Sequence, residues 1–412
     1  MKKILFVINT LGYGGAERAM LDLFEVLGPE KYEISLFVLT GQGELRSALP
    51  QHVHLLNRNY KEVSVLTKEG RKFLMRSVLK AGIGKGLFLR RASYLLKNIR
   101  DMQKKGKILP DKLCWRLLAD GAPVIKEEYD LAVAYLEGGS TYYVAEHVKA
   151  KKKAAFVHID YGKAGYGKTL DLDCYRKFDW IFTVSDEVKE HFLRVYPEYE
   201  TKVSVFHNLV NQNRIRRMAK EGKSFEDDFE GYRILTVGRL ARQKRYDVAI
   251  QAMALLKEKC SAPVKWYVLG EGDLRDSLKQ QIKDANLEKE FILLGVKENP
   301  FPYYRDCDFY VHATGFEGKS IAVQEAQTLG KPILATDCSG NREQINDGVD
   351  GYLCQLTPEA VSEKLLWMIG HPAECRNYGE KAREKELYHT KGLEQFLTLV
   401  DSEATERKGE KQ

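Results

Sequence analysis

The stretch Phe309–Gly351, FYVHATGFEGKSIAVQEAQTLGKPILATDCSGNREQINDGVDG, decides the reading of this chain. Phe309-Tyr310-Val311 is a short apolar run that reads as a buried strand. A loop holding Glu317, Gly318 and Lys319 follows it. Ser320 to Leu329 carries helical patterning, with Gly330 as the C-terminal stop and Pro332 just beyond. Pro332 to Thr336 is the next strand. The result is a βαβ unit, and such units bind ligands where strand ends meet helix N-termini.

Glu317 lies before the helix and Glu325 lies within it. Between them the amides of Gly318, Lys319, Ser320 and Ile321 lack intrahelical partners and form a small positive pole. A ligand with an anionic centre and hydroxyls on either side suits that layout, and a nucleotide-sugar has it. Its diphosphate would meet the helix end while the carboxylates accept hydrogen bonds from sugar hydroxyls. Two glutamates at this spacing also suit a plain loop and a solvated helix face, so the rest of the chain has to decide.

At 412 residues the chain suits two domains of about 200 residues, each with its own core. Its 44% apolar and 30% charged content is that of an ordinary globular protein. The opening MKKILFVINTLGYGG is expected to be a first strand rather than a signal peptide, because its apolar run is short and leads into Asn9 and Gly12. No apolar run approaches the ~18 residues of a membrane span. The seven cysteines show no metal spacing and read as reduced thiols of a cytoplasmic protein.

Charge is uneven. Between Lys68 and Arg116 fifteen Lys or Arg face three acidic residues, a net of +12, so with a total of +7 the remainder carries −5. Phe73, Leu74, Leu79, Phe88, Leu89 and Leu96 are spaced among those charges. The segment 68–116 reads as helices with an apolar and a cationic side, suited to an anionic membrane surface. Helices packed on the sheet with solvated Lys and Arg are the plainer alternative. Nucleic acid is not expected, for want of a stacking platform or binding motif.

Earlier motifs join the central stretch. Leu11 to Arg18 places Gly14, Gly15 and Glu17 between a first strand and a first helix, where backbone amides can approach a phosphate or sugar. It is not the G-x-G-x-x-G dinucleotide pattern. Glu137-Gly138-Gly139-Ser140 follows one strand, and His158-Ile159-Asp160 ends another. Tyr161 to Gly167 reads as a mobile Gly-rich loop. Asp171-Leu172-Asp173 has the form of a metal-binding D-x-D but follows no apolar strand, and no metal is expected there. In Gly238-Arg239-Leu240-Ala241-Arg242-Gln243-Lys244, Arg239 and Lys244 flank a strand-to-helix loop and can converge on a diphosphate.

In this order GGAER, His158, GRL-x3-K, GEG and E-x7-E resemble the retaining GT-B glycosyltransferases of the group 1, or family 4, type, and the variant EGKSIAVQEAQTLGKPIL resembles bacterial surface-polysaccharide enzymes. The resemblance implies an α/β GT-B fold, two Rossmann-like domains with parallel sheets facing across a cleft. It places an acceptor-binding domain at 1–208, a nucleotide-sugar-binding domain at 209–390, and a C-terminal helix crossing back with a charged tail at 391–412. It implies sugar transfer with retention from a nucleotide-diphosphate donor, UDP being the expected nucleotide, to a hydroxyl of a lipid-linked or polymeric glycan. Arg239 and Lys244 would clamp the diphosphate with Gly14, Gly15, Gly238, Gly318, Lys319, Ser320 and Ile321. Glu325 would bind the ribose, Gly295 and Val296 the base, and Glu317 the sugar hydroxyls. His158, Glu17 and Asp160 would lie on the acceptor side. Neither cofactor nor metal is implied, and the setting is the inner face of the cell membrane. Lys319-Ser320 departs from the Phe-Gly of many relatives. The alternatives are a GT-B phosphorylase or epimerase, and an inactive nucleotide-sugar-binding scaffold of a polysaccharide assembly.

Overall fold

Two parallel sheets, each buried on both faces, organise the chain. The computed structural model describes all residues except 105, 107, 163, 388–389 and 403–412, so the charged tail lies outside the described residues. The chain divides into two units, Met1–His207 with His389–Gln412, and Asn208–Tyr388.

The first unit holds β1 (Lys2–Ile8), β2 (Tyr32–Val38), β3 (Val53–Leu55), β4 (Glu128–Ala134), β5 (Lys149–Val157), β6 (Trp180–Thr183) and β7 (Val203–Val205). Their order across the sheet is β3-β2-β1-β4-β5-β6-β7, all parallel. Ile4 to Ile8 are buried without alternation, as a strand covered by helices on both faces requires. The C-terminal helix Thr390–Asp401 belongs to this unit. Its Phe396 is fully buried against the rings of Phe6, Phe156, Phe182 and Phe206.

The second unit holds β8 (Tyr232–Val237), β9 (Val264–Leu269), β10 (Phe291–Gly295), β11 (Phe309–His312), β12 (Ile333–Thr336) and β13 (Tyr352–Cys354), in the order β10-β9-β8-β11-β12-β13. All its pairs are parallel. The chain therefore reverses direction across the sheet between β8 and β11. That is the switch point at which loops diverge and leave room for a ligand.

Several expectations are revised. The helix after Glu317 runs Ile321–Thr328, with Ser320 as its N-cap. Tyr161–Gly167 is no loose cover in its described part, because Tyr161 is fully buried, Tyr166 nearly so, and their rings stack 5.0 Å apart. Asp171 is a core residue. It accepts hydrogen bonds from Tyr142 (2.8 Å), Tyr161 (2.7 Å) and Tyr196 (2.7 Å), while Arg116 donates to its carbonyl at 2.8 Å.

The basic segment forms helices Lys68–Leu79, Leu87–Arg90, Ala92–Lys104 and Pro110–Gly121. Val78, Leu87 and Tyr94 point into the core, whereas Met75, Leu79, Ile83, Leu89 and Leu96 are exposed. Among the described residues no helix is long and apolar enough to cross a membrane.

Replacing Asp171 by Ala leaves three tyrosine hydroxyls in the core without their acceptor. Each such orphan costs about 1–3 kcal/mol, so the unfolding transition of the first unit should lose about 3 kcal/mol or more. Urea titration followed by intrinsic fluorescence measures this, and a loss below about 1 kcal/mol would refute the role.

Candidate functional site

In the second unit the site forms at the carboxyl ends of β8, β11 and β12. After β8 the chain makes the Gly238–Ala241 loop, the 3-10 turn Arg242–Lys244 and the helix Tyr246–Lys259. Leu240 donates its N–H to the Glu271 carbonyl at 2.9 Å. Gly270 shows why the GEG segment needs glycine, for a Cβ there would sit 2.0 Å from the Gly238 carbonyl oxygen. Two loops separated by a helix and a strand thus pack backbone to backbone.

Lys244 reaches the loop after β11 and makes a short ion pair with Glu317. Their side chains are 17% and 16% exposed, so each charge depends on the other. Burial by itself pushes the Glu317 carboxyl up, but the Lys244 ammonium and His312 outweigh it and hold the group down at about 2. Arg239 lies on the same β8 loop with an exposed side chain.

The Glu317 loop is also held by its backbone. Gln344 accepts from the Ser320 amide at 2.7 Å and donates to the Ser320 carbonyl at 2.9 Å. A Cβ on Gly340 would lie 1.9 Å from the Gly318 carbonyl oxygen, so only glycine lets the two segments meet. Gly318 and Lys319 are half-buried and lead to Ile321, the first residue of the helix. One turn on, Glu325 is buried and accepts from the Tyr304 hydroxyl at 2.9 Å. Gly295 ends β10 with a left-handed φ of 76°, leaving Val296 39% exposed beside it.

The first unit gathers its own polar groups at the carboxyl ends of β1, β4 and β5. Gly14 caps and Gly15 begins the helix Gly15–Val26, and Glu17 folds back over that loop to accept from Thr10 at 3.3 Å. Asn9 donates to the Glu137 carbonyl at 3.0 Å and accepts from Ser140 at 2.7 Å. Glu137, buried, accepts the His158 amide at 3.1 Å, and burial pushes its carboxyl up. The His158 ring bonds the Tyr135 backbone, while burial pulls the imidazole down to about 4 and keeps it neutral. Its Nε2 is buried with no hydrogen-bond partner among the described residues.

Asp160 lies beside His191, with Nδ1 2.8 Å from the carboxylate, and Glu187 is one helical turn before that histidine. These three are the only described residues arranged as metal ligands, their donor atoms lying within 4.8 Å of one another. Asp171 and Asp173 take no part in that group.

The sequence reading missed His312, Gln344 and Gly340 in the second unit, and His191 in the first. His312 lies inside the stretch quoted first, but as the last residue of an apolar strand it showed no chemistry of its own. Glu187 and His191 do carry an i, i+4 signal on the helix Asp186–Val195.

Residues 219–385 match the model of the family described as Glycosyl transferases group 1. Over 394 residues the chain is 27% identical to the N-acetylgalactosamine-N,N'-diacetylbacillosaminyl-diphospho-undecaprenol 4-alpha-N-acetylgalactosaminyltransferase of Campylobacter jejuni, covering 93% of this chain and 95% of that one. It is 30% identical over 171 residues to a Staphylococcus aureus poly(ribitol-phosphate) alpha-N-acetylglucosaminyltransferase, covering 40% of this chain and 34% of the relative. The fold aligns with a point mutant of S. aureus TarM, solved with fondaparinux, alpha-GlcNAc-glycerol and UDP, at a TM-score of 0.67 and 15% identity over 98% of this chain and 100% of that one. The two-sheet architecture is the GT-B fold.

Replacing Lys244 by Met should free the Glu317 carboxyl from its strongest downward pull and leave burial to push it up. The Glu317 pKa is then expected to rise from about 2 by roughly two units or more. Carboxyl-carbon NMR titration of the variant reads that shift directly, and an unmoved pKa would mean that Lys244 does not set the charge of Glu317.

Proposed function

From a chain whose residues 219–385 are a glycosyl transferases group 1 domain within a GT-B fold, we propose a retaining transferase that moves a hexosyl or N-acetylhexosaminyl group from a UDP-sugar to a hydroxyl of a lipid-linked or polymeric surface glycan. One observation carries this reading. The carboxylate before the helix Ile321–Thr328 is paired with the lysine after β8, beside the N-terminal end of that helix.

Lys244, Arg239 and the amides of Gly318, Lys319 and Ile321 hold the donor diphosphate, together with Gly238, while the Ser320 amide is taken by Gln344. Charge builds on the diphosphate as the glycosidic bond breaks, so cations and dipoles already in place lower the barrier. They do what a divalent ion does in other transferases. Glu317 accepts hydrogen bonds from the donor sugar, Glu325 from the ribose, and the backbone of Gly295 and Val296 contacts the base. The acceptor hydroxyl attacks from the face that the diphosphate leaves, its proton passes to a diphosphate oxygen, and the anomeric configuration is retained. His158, neutral, serves the acceptor side with Glu17 and Asp160.

The activities for which the C. jejuni and S. aureus relatives are named support an acceptor that is lipid-linked or polymeric, and the UDP held by TarM supports the nucleotide. The exposed Met75, Ile83, Leu89 and Leu96, set among exposed Lys72, Arg76, Lys80, Lys85, Arg90 and Lys97, support docking on an anionic membrane surface.

A nucleoside-diphosphate release assay with UDP-sugars and a lipid-linked oligosaccharide tests the reaction, with NMR of the product's anomeric configuration. Glu317→Ala and Lys244→Ala should each lower kcat/KM by about 100-fold or more. Unchanged release in both would sink the site. In co-sedimentation with phosphatidylglycerol vesicles, Leu89→Glu should weaken binding by roughly tenfold, since one leucine side chain contributes about 1.5 kcal/mol. Equal binding of both proteins would remove the membrane face.

A further inference from the structure

Glu317 has a second partner that none of the motifs required. His312 ends β11 with 1% side-chain exposure, and its Nε2 lies 3.3 Å from the Glu317 carboxylate and 3.4 Å from the Lys244 ammonium. On the other side of the ring, Nδ1 is 3.1 Å from the hydroxyl of buried Tyr310. Tyr310 in turn packs on Tyr304, ring centroids 5.3 Å apart, whose hydroxyl donates to Glu325. These residues thus connect one carboxylate of the E-x7-E pair to the other through hydrogen-bond contacts at both ends and a ring contact between the two tyrosines.

We propose that His312 is a positioning residue of the donor site: its Nε2–H holds the Glu317 carboxylate when Lys244 turns to the donor diphosphate. The inference rests on the transferase reading above. In the structure Lys244 is engaged with Glu317. A diphosphate offers that ammonium more negative charge than one carboxylate does, so donor binding draws the lysine away. Glu317 would then keep its charge in a largely water-free place without its cation, held from the protein side by nothing that replaces it. His312 is already within reach.

The ring's surroundings select the tautomer. If the Tyr310 hydroxyl donates to Nδ1, the ring proton sits on Nε2 and points at Glu317. The opposite tautomer would aim a nitrogen lone pair at a carboxylate 3.3 Å away. Burial, the larger of the two effects that pull the imidazole down, remains when Lys244 turns away and favours the neutral ring. A neutral donor orients Glu317 without neutralising it, so the carboxylate still accepts from the sugar at full charge. The groups that face Glu317 are Lys244 from the 3-10 turn, Tyr246 from the following helix, and Tyr310 and His312 from β11.

The test compares full-length wild type with His312→Leu and His312→Gln, using the donor and acceptor that wild type turns over. His312→Leu should bind UDP within about twofold of wild type but lose roughly 10- to 100-fold in kcat, the range of one hydrogen bond to a charged group. The acid limb of its kcat profile should move to higher pH, because the ionised form of Glu317 has lost a donor. His312→Gln, whose amide can donate from a similar position, should recover most of the rate. In wild type loaded with UDP, nitrogen-15 NMR should find the His312 proton on Nε2. A kcat for His312→Leu within twofold of wild type overturns the proposal, as does a loss that glutamine does not rescue with the acid limb unmoved. A proton found on Nδ1 overturns it too, and that measurement decides even where His312→Leu fails to fold. A wild type that releases no nucleoside diphosphate sinks the transferase reading instead, and the tautomer still judges the hydrogen bond.

Discussion

A carboxylate has to stay ionised where water is scarce, and the second unit is arranged around that requirement. Glu317 keeps its charge here beside Lys244, and Lys244 reaches it because the loop after β8 lies next to the loop after β11. The parallel order β9-β8-β11-β12 supplies that adjacency. Sheet register, two loops and one short ion pair are therefore a single constraint. It explains why glycines stand at 270 and 340, where backbones touch and any side chain would force them apart.

The first unit meets a similar difficulty differently. Asp171 sits in its core, and it is not matched by a lysine head group. Three tyrosine hydroxyls share its carboxylate while the Arg116 guanidinium lies 3.8 Å from the centre of the Tyr142 ring. Hydroxyls spread over three elements fasten the 161–171 region to the helix Gly139–His147 and to Tyr196, next to the strand end that carries His158. Burial holds His158 neutral, so the unit presents a hydrogen-bonding ring at that edge rather than a cation.

Much of both arrangements was legible along the chain. Apolar runs bounded by glycines marked the parallel strands, and Glu317 and Lys244 stood out at strand-to-helix loops, where the structure pairs them. Those signals are local, since a loop and the helix it feeds are contiguous and their roles are written in consecutive residues. Tyr161 to Gly167 misled for the same reason. Glycines and a lysine look like a loose loop until Tyr161 and Tyr166 are seen stacked in the core.

The amino-acid order by itself determined the fold class, the two-part division and the identity of the charged groups at the strand ends, because period, glycine and charge act over a few residues. Only the tertiary structure decided what holds those groups. Gln344 meets Ser320 across 24 residues, Lys244 meets Glu317 across 73, and His312 becomes a partner of Glu317 only when its strand stops at that depth. Such pairings depend on where separate elements pack, and a hydrogen bond a few ångströms long leaves no trace in a spacing of dozens of residues.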